Sequence, residues 1–497
     1  MNIIDAIEDP KLLRPLFKDL RTWRPWLVYL RALFGLPMKD PEELRLFRES
    51  TGLRAAPDKP AKESYVIAGR RSGKSFISAL VAVYLATFKD WRPYLGKGER
   101  GHIHVIATDR EQARIVKGYV SGILAGTPAL RRMVRTDLKE SVELTNDVVL
   151  TIKSASFRGL RGYTLLAAIL EELAFWRSEE SAVPDREVLA AVRPALATIP
   201  DSVLLGISTP YSRTGVLWES FRRYFGTPGG PLVWRAASRT MNPTLDADVI
   251  RQALLQDPEA AKAEWEAEFR SDVQAFLPAD VVEAAAVPGR LELPPIAGAS
   301  YFAHVDPSGG RIDSMTLAIC HRERSGKIIV DCVRERRPPF NPQEVVREFS
   351  GTLRGYGLKT ARADRYAGQW VTEAFSQNGI EIEAAEYSAS EAYLELLPVI
   401  QSAQLEILDN SRLKAQLAGL ERRTRVGGRD IVDHSTGAHD DLAAAVAGAV
   451  IAVTREGEAG SFGFQYSKHS VYGGDSGPVK GILLRDEVEG YFRRRGL

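Results

Sequence analysis

Residues 65–75 read Tyr65-Val66-Ile67-Ala68-Gly69-Arg70-Arg71-Ser72-Gly73-Lys74-Ser75, an apolar run that leads into a glycine-bearing loop and then into Lys-Ser. The apolar run predicts a strand, and the residues from Ser75 to Thr87 predict a helix. A glycine, four further residues and Gly-Lys-Ser/Thr, placed between a strand and a helix, form the phosphate-loop pattern. Here Ala68 occupies the position of the first glycine, and Gly69 follows one place later. The order strand, loop, helix predicts a nucleotide site in a parallel α/β fold.

The loop carries the chemical groups that a nucleotide site needs. Backbone N–H groups of the loop and the start of the following helix can surround a phosphate group. The ammonium group of Lys74 supplies positive charge to the β- and γ-phosphate oxygens, and the hydroxyl of Ser75 can bind Mg²⁺. We therefore expect the nucleotide to be held by Ala68, Gly69, Arg70, Arg71, Ser72, Gly73, Lys74 and Ser75.

A second apolar run ends in two acidic residues. Residues 165–170 predict a buried strand, and Glu171 and Glu172 follow it directly. One acid at such a position can hold Mg²⁺, and the next can act as the general base that orients a water molecule. We assign Glu171 to the metal and Glu172 to catalysis. The alternative is a solvated strand end whose acids cap the next helix.

Further strands alternate with helices between residues 60 and 215, as is typical of a parallel sheet. One of these strands, residues 203–207, ends in Ser208 and Thr209. Their hydroxyl groups could sense the γ-phosphate and relay its hydrolysis. A Ser-Thr-Pro sequence can also simply end a strand, and that interpretation stays open.

Four arginines are candidates for the group that stabilises charge on the γ-phosphate. Arg158 and Arg161 lie just before the acidic strand, and Arg70 and Arg71 lie in the loop. An arginine beside the transferred phosphoryl group, from the same subunit or a neighbouring one, stabilises the transition state. Arg158 and Arg161 could instead belong to a surface loop that contacts DNA phosphates.

A second α/β pattern begins at Tyr301 and carries a set of aspartates. Asp306 and Asp364 each end a strand, and Asp440 and Asp441 start an alanine-rich helix. Acids at two strand ends and one helix start can meet and bind two metal ions, which align a water molecule and neutralise a scissile phosphate. Each aspartate taken alone is more often structural. The set predicts a two-metal nuclease site, in which either of the last two acids is the third ligand.

Two basic segments suit DNA or a protein partner. Residues 11–34 carry six Lys or Arg against one acid, with Trp23 and Trp26 among them. They could form a helical cap on the next domain or a docking surface. Residues 422–429 hold four arginines around two glycines, which indicates either a hairpin that contacts the DNA backbone or a solvated hairpin.

The composition excludes several classes of protein. Of the 497 residues, 44% are hydrophobic and 26% are charged, which excludes wholesale disorder. The 66 Lys and Arg against 64 Asp and Glu give a net charge of +2, which excludes a histone-like polycation but not a local basic groove. The two cysteines, Cys320 and Cys332, cannot form a disulfide framework. With an acidic N-terminus and no apolar run of bilayer length, we expect an intracellular protein without a membrane span.

The patterns together predict how the chain is organised, with prolines marking a linker before the second α/β region. We expect a helical region at 1–60, a nucleotide-binding core at 61–215, a small accessory subdomain at 216–275, a linker at 276–298, a second α/β domain that carries the aspartates at 299–455 and a flexible tail at 456–497.

In order and spacing, these motifs resemble those of the large terminase subunit of tailed bacteriophages, the motor that packages DNA into procapsids. The resemblance covers roughly residues 15–455 and rests on the phosphate loop, residues 158–172, the Ser-Thr-Pro sequence and the aspartates. It implies an N-terminal P-loop ATPase of the additional-strand type, with residues 216–275 as its lid subdomain. It also implies a C-terminal nuclease domain with an RNase H-like fold at 299–455. The usual Asp-Glu pair of the family is Glu171-Glu172 here.

The resemblance also implies cofactors and roles. Lys74 and Ser75 would bind ATP with Mg²⁺, and Glu172 would be the catalytic base. Arg161 or Arg158 would reach the ATP of the next subunit. The aspartates would hold two Mg²⁺ or Mn²⁺ ions in the nuclease site.

The function implied is DNA packaging, in which a ring of subunits drives double-stranded DNA into a procapsid and the nuclease cuts concatemeric DNA. The implied partners are a portal protein and a small terminase subunit, and the implied location is the host cytoplasm, with transient docking on the procapsid. A free subunit could be a monomer. Two other interpretations stay open: an ATPase-nuclease of DNA repair or transposition, and a catalytically silent protein that docks on a capsid or portal.

Overall fold

The computed structural model describes residues 1–154, 162–176, 181, 184–311, 313–364, 369–424, 430–435 and 438–461. Residues Met1–Thr454 form one compact unit. The predicted tail lies outside the described residues from residue 462 onward. None of the helices in the described ranges is long and apolar enough to cross a membrane.

The N-terminal region is helical, as the sequence predicts. A capping box between Asn2 and Asp5 starts its first helix, and the side chain of Asp40 caps its third. The α-helices are α1 (Ile3–Glu8), α2 (Arg24–Leu33) and α3 (Pro41–Thr51), with 3₁₀ turns at Arg14–Leu16 and Leu20–Trp23.

The first sheet has eight strands in the order β3-β4-β5-β2-β6-β7-β1-β8. They are β1 (Glu63–Ala68), β2 (Gly101–Ala107), β3 (Val134–Asp137), β4 (Ser141–Leu144), β5 (Val148–Ser154), β6 (Leu165–Glu171), β7 (Val203–Ser208) and β8 (Leu232–Ala236). Strands β3, β4 and β5 pair antiparallel, and the pairs from β5 to β8 are parallel. Strand β7 lies between the phosphate-loop strand β1 and the acidic strand β6. This order confirms the additional-strand arrangement.

The helices of this part cover the sheet. The apolar helix α4 is buried over most of its length, because it packs against both the sheet and α5. The described helices of this part are α4 (Lys74–Phe88), α5 (Arg110–Gly126), α6 (Pro128–Arg131), α7 (Pro184–Leu196), α8 (Gly215–Tyr224), α9 (Ser238–Met241), α10 (Ala247–Gln256) and α11 (Pro258–Glu266), with 3₁₀ turns at Arg92–Tyr94 and Leu173–Phe175.

The second sheet has six strands in the order β14-β13-β10-β11-β12-β15. The strands of this half are β9 (Val273–Ala275), β10 (Tyr301–Asp306), β11 (Met315–Arg322), β12 (Ile328–Arg336), β13 (Thr360–Ala363), β14 (Glu381–Ala384), β15 (Leu405–Glu406), β16 (Leu420–Arg423) and β17 (Ile431–His434). Strands β10, β11 and β12 form an antiparallel meander, and β13 and β14 continue the sheet in parallel on the other side of β10. This order confirms the RNase H-like fold.

The helices around the second sheet include one inside the predicted linker. Helix α12 has Val282 and Ala285 buried in the core of this half. The helices are α12 (Ala279–Ala285), α13 (Pro342–Gly355), α14 (Gln369–Gln377), α15 (Ala389–Gln401), α16 (Ser411–Ala418) and α17 (Asp441–Ser461).

A small third sheet, β17-β16-β9, connects the two halves of the compact unit. Strand β9 comes from the end of the predicted lid region and pairs antiparallel with β16. Nearby, the hydroxyl of Tyr211 donates a hydrogen bond of 2.8 Å to Glu421 on β16. The segment after β7 therefore contacts the half of the unit that carries the second sheet.

Candidate nucleotide and nuclease sites

The phosphate loop has the backbone conformation that its sequence requires. Gly73 has a φ of +98°, and a Cβ there would lie 3.0 Å from the ring of Trp23. At Gly69 a Cβ would lie 2.2 Å from the hydroxyl oxygen of Ser238. Glycine is needed at both positions because the backbone is left-handed at the first and closely approached at the second.

Two other parts of the chain hold this loop in place. The indole N–H of Trp26, on α2, donates a hydrogen bond of 2.7 Å to the carbonyl of Ser72. From the lid region, Asn242 Nδ2 donates to the carbonyl of Arg71 at 2.9 Å. Trp26 is fully buried, which supports the cap interpretation of residues 11–34 at this position.

The two loop arginines differ in their surroundings. The guanidinium of Arg70 forms an ion pair of 3.1 Å with Glu264 on α11, so this side chain is directed at the lid. Arg71 has a φ of +61° and contributes its carbonyl to the loop contacts described above. Arg158 and Arg161, the other candidates, lie outside the described residues.

Lys74 lies at the centre of the nucleotide site and is 6% exposed. Its Nζ donates hydrogen bonds to Thr209 Oγ1 at 2.8 Å and to the carbonyls of Ala68 and Gly69 at 3.2 Å. The same nitrogen lies 3.4 Å from Glu172 Oε1. The structure therefore brings together the lysine of the loop, the predicted base and the hydroxyl at the end of β7.

Glu171 and Ser75 form the part of the site suited to a cation. Ser75 Oγ donates to Glu171 Oε2 at 3.2 Å and accepts from Gln112 Nε2 at 3.1 Å. Burial, and then the charge of Glu172, raises the pKa of Glu171 to about 7. Its Oε1 is buried and has no hydrogen-bond partner among the described residues. A buried carboxylate oxygen beside a serine hydroxyl fits Mg²⁺. Gln112, on α5, was not found from the sequence because it lies outside any motif.

Glu172 is oriented by the end of β7. Its φ is +49°, an uncommon value for a residue other than glycine. Its Oε2 accepts hydrogen bonds from the backbone N–H of Thr209 at 3.0 Å and from Ser208 Oγ at 3.1 Å. The carboxylate of the predicted base is therefore bonded directly to Ser208 and Thr209, the residues expected to sense the γ-phosphate.

The aspartates of the second half meet at one edge of the second sheet. Strands β10 and β13 are parallel neighbours, so Asp306 at the end of β10 and Asp364 just after β13 lie at the same edge. Burial, followed by the charges of neighbouring aspartates that include Asp364, Asp441 and Asp440, raises the pKa of Asp306 well above its usual range. Burial also raises the pKa of Asp364, with Asp440 as the next cause. These carboxyl groups therefore share one electrostatic environment.

A histidine also belongs to this edge. His304 Nε2 lies 3.7 Å from Asp364 Oδ1, and neither ring nitrogen has a hydrogen-bond partner among the described residues. Burial lowers the pKa of His304 to about 4, so the ring is neutral at neutral pH. The ring packs against the backbone of α17 at Gly448, where a Cβ would lie 2.3 Å from it.

The donor set fits a hard divalent cation in its chemistry. Carboxylate oxygens are preferred by Mg²⁺ and Mn²⁺, and carboxylates that raise one another's pKa favour a cation between them. Within the described ranges, however, no group of three or more His, Cys, Asp or Glu side chains is arranged so that it could hold a metal ion. The assignment of Asp306, Asp364, Asp440 and Asp441 as ligands therefore stays a prediction.

The basic hairpin is described only in part. Arg422 forms an ion pair with Asp430, and Arg423 lies 3.7 Å from Glu421. The other two arginines, at 425 and 429, lie outside the described residues. Both described arginines are thus paired with acids of the hairpin itself.

Comparison with known proteins gives structural similarities. No family model and no curated relative matches the chain. The large terminase of bacteriophage HK97 is 17% identical with a TM-score of 0.36, over 87% of this chain and 99% of that one. The large terminase of a thermophilic bacteriophage, solved in complex with ADP, is 9% identical with a TM-score of 0.37, over 85% and 98%. The chain is similar to phage large terminases. The ATPase domain of a Thermus phage large terminase is 21% identical with a TM-score of 0.35, over 48% and 97%.

Proposed function

We propose that this chain is a DNA-packaging motor that hydrolyses ATP to drive double-stranded DNA into a procapsid and cuts concatemeric DNA with a metal-dependent nuclease. One observation carries the proposal: a single compact unit contains both a phosphate loop beside an acidic strand end and a separate group of aspartates on an RNase H-like sheet. A motor that drives DNA and also cuts it uses both activities.

In the ATPase, each side chain acts from the position described above. Lys74 contacts the β- and γ-phosphates, and Ser75 and Glu171 would hold Mg²⁺. The bound ion would neutralise charge on the phosphate oxygens. Glu172 accepts the proton of the attacking water at its carboxylate, which Thr209 orients. An arginine finger, Arg158 or Arg161, would come from the same or a neighbouring subunit.

In the nuclease, the aspartates work as a group. Asp306, Asp364 and Asp440, with Asp441 as a further candidate, would hold two Mg²⁺ or Mn²⁺ ions. Such ions activate water and stabilise the leaving oxygen in phosphodiester cleavage. The raised pKa values of these carboxyl groups fit residues that are stabilised when a cation binds.

The proposal includes the assembly in which the motor works. Subunits would form a ring on the portal of a procapsid in the host cytoplasm, with a small terminase subunit delivering the DNA. The domain boundaries expected from the sequence are part of the same proposal. Strand β8 falls inside the expected lid region and pairs with β1 of the ATPase sheet.

A packaging reaction tests the proposal. Labelled linear double-stranded DNA is mixed with procapsids, ATP and the purified chain, and protection of the DNA from added DNase is measured. We expect ATP-dependent protection with the wild type, no protection with Lys74→Ala, and retained protection with Asp306→Asn. Absence of ATP-dependent protection by a wild type that still hydrolyses ATP would contradict the motor function.

A further inference from the structure

Asp440 occupies a helix-capping position without performing the capping role. It directly precedes α17, and its carbonyl accepts the hydrogen bond of Ala444 N–H at 2.7 Å. The side chain of an aspartate at this position normally accepts a hydrogen bond from the backbone N–H of the second or third residue of the helix. Here the N–H groups of Leu442 and Ala443 donate instead to Gln416 Oε1, at 2.8 and 3.1 Å. Gln416, on α16, caps α17 in place of Asp440.

The carboxylate of Asp440 has a different partner. The hydroxyl of Tyr393, on α15, donates a hydrogen bond of 2.7 Å to Asp440 Oδ2. Tyr393 is fully buried, so its ring is held by the surrounding core. A buried ring with one hydroxyl partner fixes the orientation of that carboxylate, in the way that residues behind a metal site fix its ligands.

The neighbouring acid is used differently. Asp441 Oδ2 accepts the backbone N–H of Ser314 at 3.2 Å, and the carbonyl of Asp441 accepts Thr316 Oγ1 at 2.7 Å. Asp441 therefore connects the start of α17 to β11. Of the two adjacent acids, Asp441 is the one whose carboxylate is bonded to a backbone N–H, whereas the carboxylate of Asp440 is bonded to a side chain.

We propose that Gln416 and Tyr393 are positioning residues of the nuclease site: Gln416 takes over the helix cap, and Tyr393 aims the freed Asp440 carboxylate at Asp306 and Asp364 for divalent-metal binding. This inference rests on the proposed nuclease function. Neither residue would contact the scissile phosphate, and both would act through Asp440.

Mn²⁺ binding to the full chain, measured by calorimetry without nucleotide, tests the inference. Binding at the nuclease site is the part of the heat of Mn²⁺ binding that the wild type shows and Asp306→Asn lacks. We expect Tyr393→Phe to weaken this binding about ten-fold or more, as is typical when a group behind a metal ligand is lost. Plasmid cleavage should fall at low Mn²⁺ and recover at high Mn²⁺, while ATP hydrolysis stays unchanged.

A matched control separates positioning from general damage. Tyr356→Phe removes another buried tyrosine hydroxyl of the same half, one that donates to the carbonyl of Leu293. We expect it to leave Mn²⁺ binding unchanged. Gln416→Met keeps the side-chain length but removes the acceptor. We expect it to weaken Mn²⁺ binding, because Asp440 then turns to cap α17.

A double-mutant comparison completes the test. In the Asp440→Ala background, Tyr393→Phe should have no further effect on Mn²⁺ binding, because the oxygen that accepts from the Tyr393 hydroxyl is gone. Mn²⁺ affinity of Tyr393→Phe equal to wild type, or an equal loss in Tyr356→Phe, would overturn the inference. If the wild type shows no Mn²⁺ binding that Asp306→Asn removes, the nuclease function itself fails, and the inference fails with it.

Discussion

The carboxylate of Glu172 lies 3.4 Å from Nζ of Lys74, and Thr209 is hydrogen-bonded to both of them, through its backbone N–H to the first and its hydroxyl to the second. The lysine proposed to contact phosphate and the acid proposed to activate water are therefore linked through the end of β7. A displacement of Lys74 toward a phosphate must alter the surroundings of Glu172. This linkage gives the segment after β7 a physical route for sensing the nucleotide.

Removing the Thr209 hydroxyl tests this linkage. Thr209→Val keeps the backbone N–H that orients Glu172 but deletes the acceptor of the Lys74 hydrogen bond. A hydrogen bond to a charged group contributes about 1.5–3 kcal/mol, so we expect kcat/KM for ATP to fall roughly ten-fold or more. The rate of phosphate release at different ATP concentrations measures this change in kcat/KM. Thr87→Val, which removes a hydroxyl bonded within α4, is the control, and equal rates for the wild type and Thr209→Val would contradict the account.

The buried Glu171 predicts a specific pH dependence of stability. Its pKa is about 7 in the folded protein and near 4.5 in the unfolded chain. Between these values the unfolded chain has lost a proton that the folded protein keeps, so the folded state loses stability as the pH rises. We expect Glu171→Gln to raise the free energy of unfolding by about 3 kcal/mol at pH 8 and by almost nothing at pH 4. Urea unfolding without metal ions measures the difference, and a gap that is constant with pH would contradict the prediction.

The aspartate group predicts a conflict between activity and stability. The pKa of Asp306 is raised in the folded protein, so the folded state holds a proton that the unfolded chain releases, and the fold loses stability as the pH rises above the usual range of an aspartate. Asp306→Asn removes this buried acid, and we expect it to stabilise the metal-free protein by roughly 1 kcal/mol at pH 8. Thermal unfolding in a chelator measures this. A lower melting temperature for the variant than for the wild type would show that Asp306 is a structural residue.

The contact of Trp26 with the phosphate loop predicts that the N-terminal region supports nucleotide binding. Trp26→Phe removes the N–H that donates to Ser72 and leaves that carbonyl without its indole partner. We expect a loss of about 1 kcal/mol in stability and a higher KM for ATP with a smaller change in kcat. Steady-state ATP hydrolysis measures both constants. An unchanged KM would mean that α2 covers the domain without shaping its loop.

The sequence was sufficient for the elements that carry continuous apolar runs. The strands before the phosphate loop and before Glu171 were predicted within two residues, because buried parallel strands are apolar throughout. The roles assigned to the aspartates stay predictions, although the structure places Asp306 and Asp364 at one sheet edge as expected.

Other features depend on contacts between distant parts of the chain. The apolar run of strand β8 is short and is interrupted by Arg235. The segment forms a strand because it pairs with β1, which lies more than 150 positions earlier in the chain. Strands β3 and β4 are short and partly exposed, which weakens their apolar pattern. Gln112, Tyr393 and Gln416 carry no motif, and their roles follow only from the hydrogen bonds that the fold creates.

The central claim is that this chain holds two separate active sites, and one paired measurement tests it most directly. ATP hydrolysis and Mn²⁺-dependent plasmid cleavage are measured on the wild type, Lys74→Ala and Asp306→Asn, each shown to unfold cooperatively. We predict that Lys74→Ala loses ATP hydrolysis by at least about 100-fold and keeps cleavage, and that Asp306→Asn does the reverse. Loss of both activities in either folded variant would contradict two independent sites, and undiminished cleavage by Asp306→Asn would remove the aspartate group from the nuclease.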